Sequence, residues 1–172
     1  MEIRIGCKND VKNISEVYVD SWRITYRGLV PDDYLDKLSY IETEKKWMDF
    51  LNNEKENFIF VVSNEVGNII GFASGRSIGE KDFGGELYSL YLLQECREKG
   101  LGRLLVKTIA KHFKEKGIDS MMVWVMKNNE LGLGFYKNIG GKAYNERTST
   151  FGGAEVKDVA FGWNDISVLC TQ

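Results

Sequence analysis

The chain has 172 residues, of which 43% are hydrophobic and 28% charged, and it contains a single proline. This composition excludes a disordered or collagen-like protein, and no apolar run reaches the ~18 residues of a membrane-spanning helix. With 23 basic against 25 acidic residues, the net charge of -2 gives no general attraction to nucleic-acid phosphates. We therefore expect one compact globular domain over residues 1–172, with neither nucleic acid nor a membrane as partner.

The start of the chain and its cysteines favour a cytoplasmic location. No basic segment leads into an apolar stretch at the amino terminus, so no secretory signal is predicted. Cys7, Cys96 and Cys170 are odd in number and lack a CxxC pattern or a nearby histidine. Their spacing supports neither a disulfide framework nor a zinc site, and we expect no metal.

The first third of the chain predicts one strand followed by three helices. Residues 2–8 alternate in polarity, which is typical of a strand. Apolar side chains then recur at steps of three and four residues up to about Tyr26, which predicts a helix with one buried stripe. A second helix is expected from Pro31, because proline and acidic residues favour a first helical turn, and a third over residues 43–51.

Strands dominate the chain from residue 57 onward. Two β-branched and aromatic runs, 58–63 and 69–77, flank a turn at Gly67 and predict an antiparallel hairpin. A strand over 86–93 then leads into a helix over about 102–116. The residues of this helix predicted to face inward are Leu104, Leu105, Thr108, Ile109 and Phe113. The remaining predicted elements are a strand over 120–126, a short helix over 131–138, and two closing strands over 142–150 and 155–163.

The order of these elements indicates a mixed sheet. The two strands that flank the helix over about 102–116 should be parallel, because a crossover helix joins them. The hairpin strands over 58–63 and 69–77 should pair antiparallel, so the sheet is mixed. The grouping of helices near the amino terminus therefore predicts an α+β or mixed α/β architecture.

A turn with two glycines separates the strand over 86–93 from its helix. Gly100 and Gly102 allow a tight turn that presents unpaired backbone amides at the start of the helix. The helix dipole and the side chains of Arg97, Lys99 and Arg103 favour an anion there, such as a pyrophosphate. The dinucleotide and P-loop glycine motifs are both absent, and a turn of this kind is by itself as often a structural corner.

The wider segment around this turn resembles the acetyl-CoA motif of the GNAT family of N-acetyltransferases. The segment LYLLQECREKGLGRLL, Leu90–Leu105, is similar to that family's strand followed by an [Arg/Gln]-x-x-Gly-x-[Gly/Ala] turn. Asn129 with the segment FYKNIGG, Phe135–Gly141, is similar to its Asn-x-x-Ala-x-x-x-Tyr-x-x-x-Gly-Phe segment. The family usually has alanine, phenylalanine and proline where this chain has Gly132, Gly141 and Glu95.

The resemblance covers nearly the whole chain and implies both a fold and an activity. The implied fold is a single α/β (α+β) N-acetyltransferase domain with a largely antiparallel seven-stranded sheet, flanked by helices, whose central parallel strands splay apart. The implied activity is direct transfer of an acetyl group from acetyl-CoA to an amine in a ternary complex, without a metal. The cofactor-binding residues implied are Leu90, Tyr91, Leu92, Arg97, Glu98, Lys99, Gly100, Leu101, Gly102, Arg103, Asn129 and Tyr136.

The resemblance also implies catalytic roles, each of which has a structural alternative. Tyr136 would protonate the leaving thiolate, or it would be a core residue with a satisfied hydroxyl. Glu86 would accept the amine proton, alone or through water, or it would be a solvated carboxylate. Asn129 would contact the cofactor or cap the next helix. The substrate-binding side would be formed by aromatic residues that could equally be core, namely Trp22, Tyr26 and Tyr34.

Two other reactive side chains are not expected to take part. His112 lies in the middle of a helix without a metal-ligand partner, which favours a structural role. Cys96 adjoins the glycine turn, but no histidine base lies within sequence reach. We therefore expect no covalent acyl-cysteine.

The acceptor is left open by the sequence. Acidic residues near the expected mouth could attract a cationic amine, although such residues commonly cap helices: Asp20, Asp32, Asp33 and Asp36. The favoured acceptor is a small-molecule amine, and a peptide or protein amino terminus is the alternative. A non-catalytic acetyl-CoA sensor and a nucleotide-binding regulator are the competing functions, and the oligomeric state is open, with a homodimer as one option.

Overall fold

The computed structural model describes residues 1–171, which form one seven-stranded sheet with helices on both faces. The strands are β1 (Glu2–Ile5), β2 (Asn57–Ser63), β3 (Ile69–Ser77), β4 (Gly85–Leu92), β5 (Met121–Met126), β6 (Lys142–Phe151) and β7 (Ala154–Trp163). Their spatial order is β1-β2-β3-β4-β5-β7-β6. Every neighbouring pair is antiparallel except β4 with β5, so the predicted mixed sheet and its parallel pair are confirmed.

The helices cover two large apolar cores, and a small third cluster contains Phe83, Met122 and Ala160. The helices are α1 (Val11–Thr25), α2 (Asp32–Asp36), α3 (Tyr40–Asn52), α4 (Leu101–Glu115), α5 (Glu130–Asn138) and α6 (Ser167–Cys170). The core under α1 and α3 contains Trp47 and Ile59, whereas the core under α4 contains Phe58 and Phe113. Because Phe58 and Ile59 are neighbours in β2, the two cores occupy opposite faces of the sheet.

Several element boundaries differ from the prediction for local reasons. β1 ends at Ile5, because Lys8–Asp10 forms a short 3-10 turn instead of continuing the strand. α3 begins at Tyr40, earlier than predicted, since the side chain of Ser39 accepts a hydrogen bond from the Glu42 amide at 3.3 Å and caps the helix. The four-residue helix α6 was not predicted, because it is too short to show a periodic pattern.

The predicted inward orientation of Leu104 is wrong. This residue is 47% exposed. The buried stripe of α4 runs through Leu101, Leu105 and Ile109 at steps of four residues, so the prediction for Leu105 and Ile109 is confirmed. Leu104 precedes one of these positions by a single residue and therefore lies about a quarter-turn away from the stripe.

The parallel strands β4 and β5 separate soon after they begin. They pair only through Gly85 with Met121 and Glu86 with Met122. Beyond this point β4 remains paired with β3, and β5 remains paired with β7. The edges that β4 and β5 turn toward each other are thus left apart, and the predicted splaying is confirmed.

A β-bulge in β4 accompanies the separation. Ser89 is paired with Ser74, but Leu87 is paired with Gly75, so Tyr88 is an extra residue without a partner in β3. The hydroxyls of Ser74 and Ser89 hydrogen bond to each other beside the bulge. Bulges bend the strand and re-aim neighbouring groups, and they are common next to active sites.

Close packing of α4 on the sheet explains the glycine that opens β4. A Cβ atom on Gly85 would lie 2.8–2.9 Å from ring atoms of Phe113, which is fully buried. Real side chains do not approach this closely, so the ring or the strand would have to move. The aromatic ring therefore takes the place that a side chain at Gly85 would need.

We predict that Gly85→Ala lowers the free energy of unfolding by about 1–3 kcal/mol through overpacking against Phe113. Gly79→Ala is the control, because a Cβ at Gly79 meets no atom within 4 Å. Its expected change is within about 0.5 kcal/mol. Urea denaturation measures both variants, and equal stabilities would show that this contact does not constrain the sheet.

Candidate active site

A cleft of about 780 Å³ follows the gap between β4 and β5. Gly100 and Tyr136 line it on the side of α4 and α5, and Tyr18 and Trp47 line it on the side of α1 and α3. The cleft therefore joins the two faces of the sheet. Its volume is in the range of small-molecule and cofactor sites, typically 300–1,000 Å³.

The glycine turn forms one wall of the cleft. Gly100 caps α4 with a φ of +79°, and Glu98 has a φ of +61°. The left-handed conformation at Gly100 directs the chain into the helix, whose first amides have no partner within it. Glu98, Gly100 and Gly102 line the cleft, whereas Lys99 is exposed outside it and Leu101 is buried in the α4 core.

Arg97 connects the turn to two neighbouring elements. Its Nε donates a hydrogen bond to the Leu92 carbonyl at 3.1 Å, and its Nη2 donates to Thr25 Oγ1 at 2.8 Å. The guanidinium thus joins the end of β4 to the end of α1 while also lining the cleft. Arg103, from the first turn of α4, lines the same wall.

The free edge of β4 forms the floor beside this turn. Leu90, Tyr91 and Leu92 all line the cleft. They lie beyond the two positions at which β5 pairs with β4. The backbone groups of Leu90 and the Leu92 amide on this edge can therefore pair with an extended ligand in the manner of an added strand, whereas the Leu92 carbonyl already accepts the hydrogen bond from Arg97.

Tyr136 of α5 lines the cleft, and its hydroxyl has no hydrogen-bond partner among residues 1–171. Its ring packs at 5.2 Å from Phe135 and at 6.3 Å from both Phe161 and Trp163, measured between ring centroids. The residue is only 8% exposed. Burial raises the pKa of Tyr136, so its phenol remains protonated at neutral pH.

Asn129 caps α5 and also lines the cleft. Its Oδ1 accepts a hydrogen bond from the Gly132 amide at 3.1 Å. A Cβ on Gly132 would lie 2.9 Å from Asn129 Nδ2 and from Val125 Cγ2. Glycine thus stands here, in place of the usual alanine, where the cap and β5 approach too closely for a side chain.

Glu86 is a buried carboxylate at the point where the strands part. It is 6% exposed and lines the cleft. Its Oε2 accepts a hydrogen bond from Arg76 Nε at 2.5 Å. The Arg76 guanidinium also lies 4.7 Å from the centroid of the Tyr88 ring. This ion pair compensates for burying the carboxylate and fixes its direction.

A second buried carboxylate, Asp158, was not found from the sequence. It is 4% exposed on β7 and accepts hydrogen bonds from Arg147 Nε at 2.9 Å and from the Ser149 hydroxyl. The Arg147 guanidinium lies 4.3 Å from the centroid of the Trp124 ring. Asp158, Arg147 and Trp124 line the cleft, whereas Ser149 does not. A signal was present, because the alternation of a strand places Asp158 on the same face as the apolar Val156 and Ala160.

Aromatic side chains form the wall under α1. The rings of Trp22 and Tyr26 lie 4.3 Å apart, and Trp22 Nε1 donates to Tyr91 Oη at 2.9 Å. Burial raises the pKa of Tyr26, and its interaction with Tyr91 offsets part of that rise. Trp22 and Tyr26 line the cleft. Tyr34 is not among the lining residues, because it packs behind them against Trp22 and Phe151.

Two further lining residues on this face were missed by the sequence analysis. Tyr18 of α1 and Lys46 of α3 meet at the cleft, where Lys46 Nζ donates a hydrogen bond to Tyr18 Oη at 3.2 Å. A signal was present in the helical period, because Lys46 lies three residues after the buried Thr43 and so borders the buried stripe of α3, whereas the adjacent Lys45 points away from it. Only the packing of α3 on α1 brings its ammonium to the site.

The acidic residues expected near the mouth are not part of the cleft lining: Asp20, Asp32, Asp33 and Asp36. Arg27 Nη1 and Nη2 pair with two of them, Asp32 at 3.2 Å and Asp36 at 2.9 Å. Asp20 accepts a hydrogen bond from the Tyr40 hydroxyl at 2.6 Å. Three of these carboxylates are thus engaged in local contacts on α1 and α2.

His112 and Cys96 also lie away from the cleft lining. The His112 ring packs at 4.3 Å from that of Phe58, and burial lowers the pKa of the imidazole. Within residues 1–171, no cluster of histidine, cysteine and acidic side chains is suited to hold a metal ion. The helices of this same region are all too short or too polar to span a bilayer.

Comparison with known proteins identifies relatives over almost the full chain. Residues 14–140 match the acetyltransferase (GNAT) family model. An uncharacterized N-acetyltransferase, YuaI, from Bacillus subtilis (strain 168) is 38% identical over 171 residues, which are 98% of this chain and 96% of that protein. The spermidine N(1)-acetyltransferase of Thermoplasma acidophilum is 29% identical over 88% of this chain and 94% of its own.

Solved structures show the same fold. The PaiA N-acetyltransferase from Thermoplasma acidophilum, crystallised in complex with coenzyme A, is similar with a TM-score of 0.77 and 25% identity, covering 94% of this chain and 98% of its own. A ribosomal-protein-alanine N-acetyltransferase from Brucella melitensis shares the fold at 18% identity, with a TM-score of 0.74 and coverage of 95% and 99%. From the family match and its close relatives, the chain belongs to the acetyltransferase (GNAT) family and is an acyltransferase.

Proposed function

We propose that the chain is a single-domain, acetyl-CoA-dependent N-acetyltransferase that transfers the acetyl group directly to a primary amine of a small molecule. The observation that carries this proposal is the continuous cleft between β4 and β5, which joins the glycine turn to the face under α1 and α3. A cofactor and an acceptor can thus meet from opposite faces of one sheet. This arrangement suits a ternary complex and requires no covalent intermediate on the protein.

The residues of the cleft fit acetyl-CoA. The α4 amino terminus offers unpaired amides and a positive dipole end for the pyrophosphate. The free edge of β4 at Leu90 and Leu92 offers backbone groups for the amides of the pantetheine arm. The similar PaiA N-acetyltransferase was crystallised with coenzyme A, which supports this assignment.

Acetyl-CoA supplies an acetyl thioester that an amine can attack. A primary amine has a pKa near ~10.4 and is mostly protonated at neutral pH, so the site must accept its proton. We assign this role to Glu86, directly or through water. Its Oε2 is held by Arg76, while no hydrogen bond to its Oε1 is made within residues 1–171.

Tyr136 is the proposed acid for the departing thiolate. Tyr136 lines the cleft, its phenol is protonated at neutral pH, and no group within residues 1–171 hydrogen bonds to its hydroxyl. The hydroxyl of a purely structural core tyrosine would instead be hydrogen bonded to another protein group. Trp22 and Tyr26 are proposed to contact the acceptor, with Tyr34 behind them as support.

We predict that Gly100→Leu weakens acetyl-CoA binding by at least ~10-fold, because the new side chain obstructs amides that bind a charged group. Gly117→Leu is the matched control. Gly117 follows the other end of α4 with a φ of +75°, and a Cβ at either glycine meets no atom within 4 Å. Both variants carry a similar strain of about 1–2 kcal/mol. Isothermal titration that gives equal affinities for both would contradict the assignment of this turn.

We predict that Tyr136→Phe lowers kcat by ~10²-fold or more, since it removes the general acid and keeps the ring. Acetyl-CoA affinity and the melting temperature should barely change, because the hydroxyl makes no hydrogen bond within the described chain. Tyr144→Phe, at a 40% exposed tyrosine outside the cleft lining, is the control and should keep full activity. Thiol release with an amine panel measures kcat, and a fully active Tyr136→Phe enzyme would transfer the acid role to water.

A further inference from the structure

Lys46 brings an ammonium group to the acceptor side of the cleft without a carboxylate beside it. Although the residue as a whole is exposed, its Nζ lies 4.6 Å from the centroid of the Tyr18 ring and 5.3 Å from that of Trp47. The Tyr88 ring centroid is 5.9 Å away. No acidic side chain among residues 1–171 comes within 4.0 Å of this nitrogen.

The arginines on the same face are compensated differently. Arg76 is paired with Glu86, and Arg147 is paired with Asp158. Each pair combines one positive and one negative charge, so it is close to neutral within the cleft. The two carboxylates are almost fully buried. The five groups together retain one positive charge, which belongs to Lys46. This face of the cleft therefore favours a negative group on the ligand.

The surroundings of Lys46 strengthen the attraction between its ammonium and a negative group on the ligand. Desolvation lowers the pKa of the Lys46 ammonium, because aromatic rings replace part of its water. Cation–π contacts recover only part of that loss. Burial also raises the pKa of Tyr18, so its phenol remains neutral and contributes no charge. An anion delivered by the ligand would supply a charge partner for the ammonium.

We propose that the acceptor is an amine that also carries a carboxylate, and that Lys46 binds this carboxylate while the amine faces Glu86. The proposal rests on the proposed function and narrows its substrate class to small amino-acid-like acceptors. Lys46 and Arg76 both contact the Tyr88 ring, so the anion subsite and the Glu86 end of the cleft are adjacent. A polyamine would instead place a second positive charge next to Lys46.

The test compares amines that differ only in charge. A series of amino acids with increasing separation between amine and carboxylate is assayed for thiol release, each beside its own carboxamide, with spermidine as a cationic comparator. The kcat/KM of the best amino acid should exceed that of its carboxamide by at least ~10-fold, the scale of a lost charged hydrogen bond.

Variants connect this selectivity to Lys46. Lys46→Gln should bring the ratio of the two kcat/KM values close to one, and Lys46→Arg should retain most of it. Lys45→Gln is the matched control, because Lys45 is exposed on the same helix and outside the cleft lining, and its ratio should not change. Acetyl-CoA affinity and melting temperature, measured for each variant, separate selectivity from folding.

The possible failures are distinguishable. A Lys46→Gln enzyme that loses activity equally toward amino acids and carboxamides would assign Lys46 a general structural or proton-transfer role and overturn the inference. Preference of the unmodified enzyme for carboxamides or spermidine would overturn it as well, with the proposed function intact. Absence of thiol release with every amine would overturn the proposed function itself.

Discussion

The separation of β4 from β5 is the constraint on which the rest of the structure depends. Parallel strands normally pair along their length, but here the pairing stops after Gly85 and Glu86. Backbone groups left apart in this way are costly when buried, so the gap must be solvated or filled by a ligand. The bulge at Tyr88 and the close packing of Phe113 on Gly85 fix β4 at the point where it departs. The gap is thus built into the sheet.

This one gap explains how residues from opposite faces reach a common cleft. Tyr136 belongs to the core under α4, whereas Trp47 belongs to the core under α1 and α3. A continuous sheet would separate them. On the face under α1 and α3, the buried carboxylates of Glu86 and Asp158 are tolerated because each is paired with an arginine. Among residues 1–171, Lys46 has no such carboxylate within 4.0 Å, and this difference is the basis of the proposed anion subsite.

The sequence predicts the features that depend on local chemistry. Helices and strands follow from apolar periodicity, and the glycine turn follows from residues that permit a left-handed conformation at Gly100. The cap at Asn129 also depends on local sequence. The parallel strand pair follows from the helix that connects the two strands. Leu104 was misplaced because apolar residues on α4 extend beyond the stripe that tertiary packing buries. Predicted and observed boundaries differ where a single capping residue, such as Ser39, decides them.

Features set by contacts between distant segments could not be predicted. Asp158 reaches the cleft through the register of β7 with β5 and β6, which no single segment contains. The helical period places Lys46 at the edge of the buried stripe of α3 and Lys45 away from it, but the arrival of the Lys46 ammonium at the cleft depends on the packing of α3 against α1. Tyr34 illustrates the opposite case, since a plausible aromatic residue lies one layer behind the cleft.

The central claim, that the free edge of β4 and the start of α4 hold the cofactor, is tested most directly by amide hydrogen exchange with and without acetyl-CoA. Unpaired amides exchange rapidly, and pairing with a ligand slows them. Peptides that cover residues 87–92 and 98–103 should become strongly protected, while those from the remote strand β1 should not change. If both peptides exchange as fast with saturating acetyl-CoA as without it, the account is contradicted.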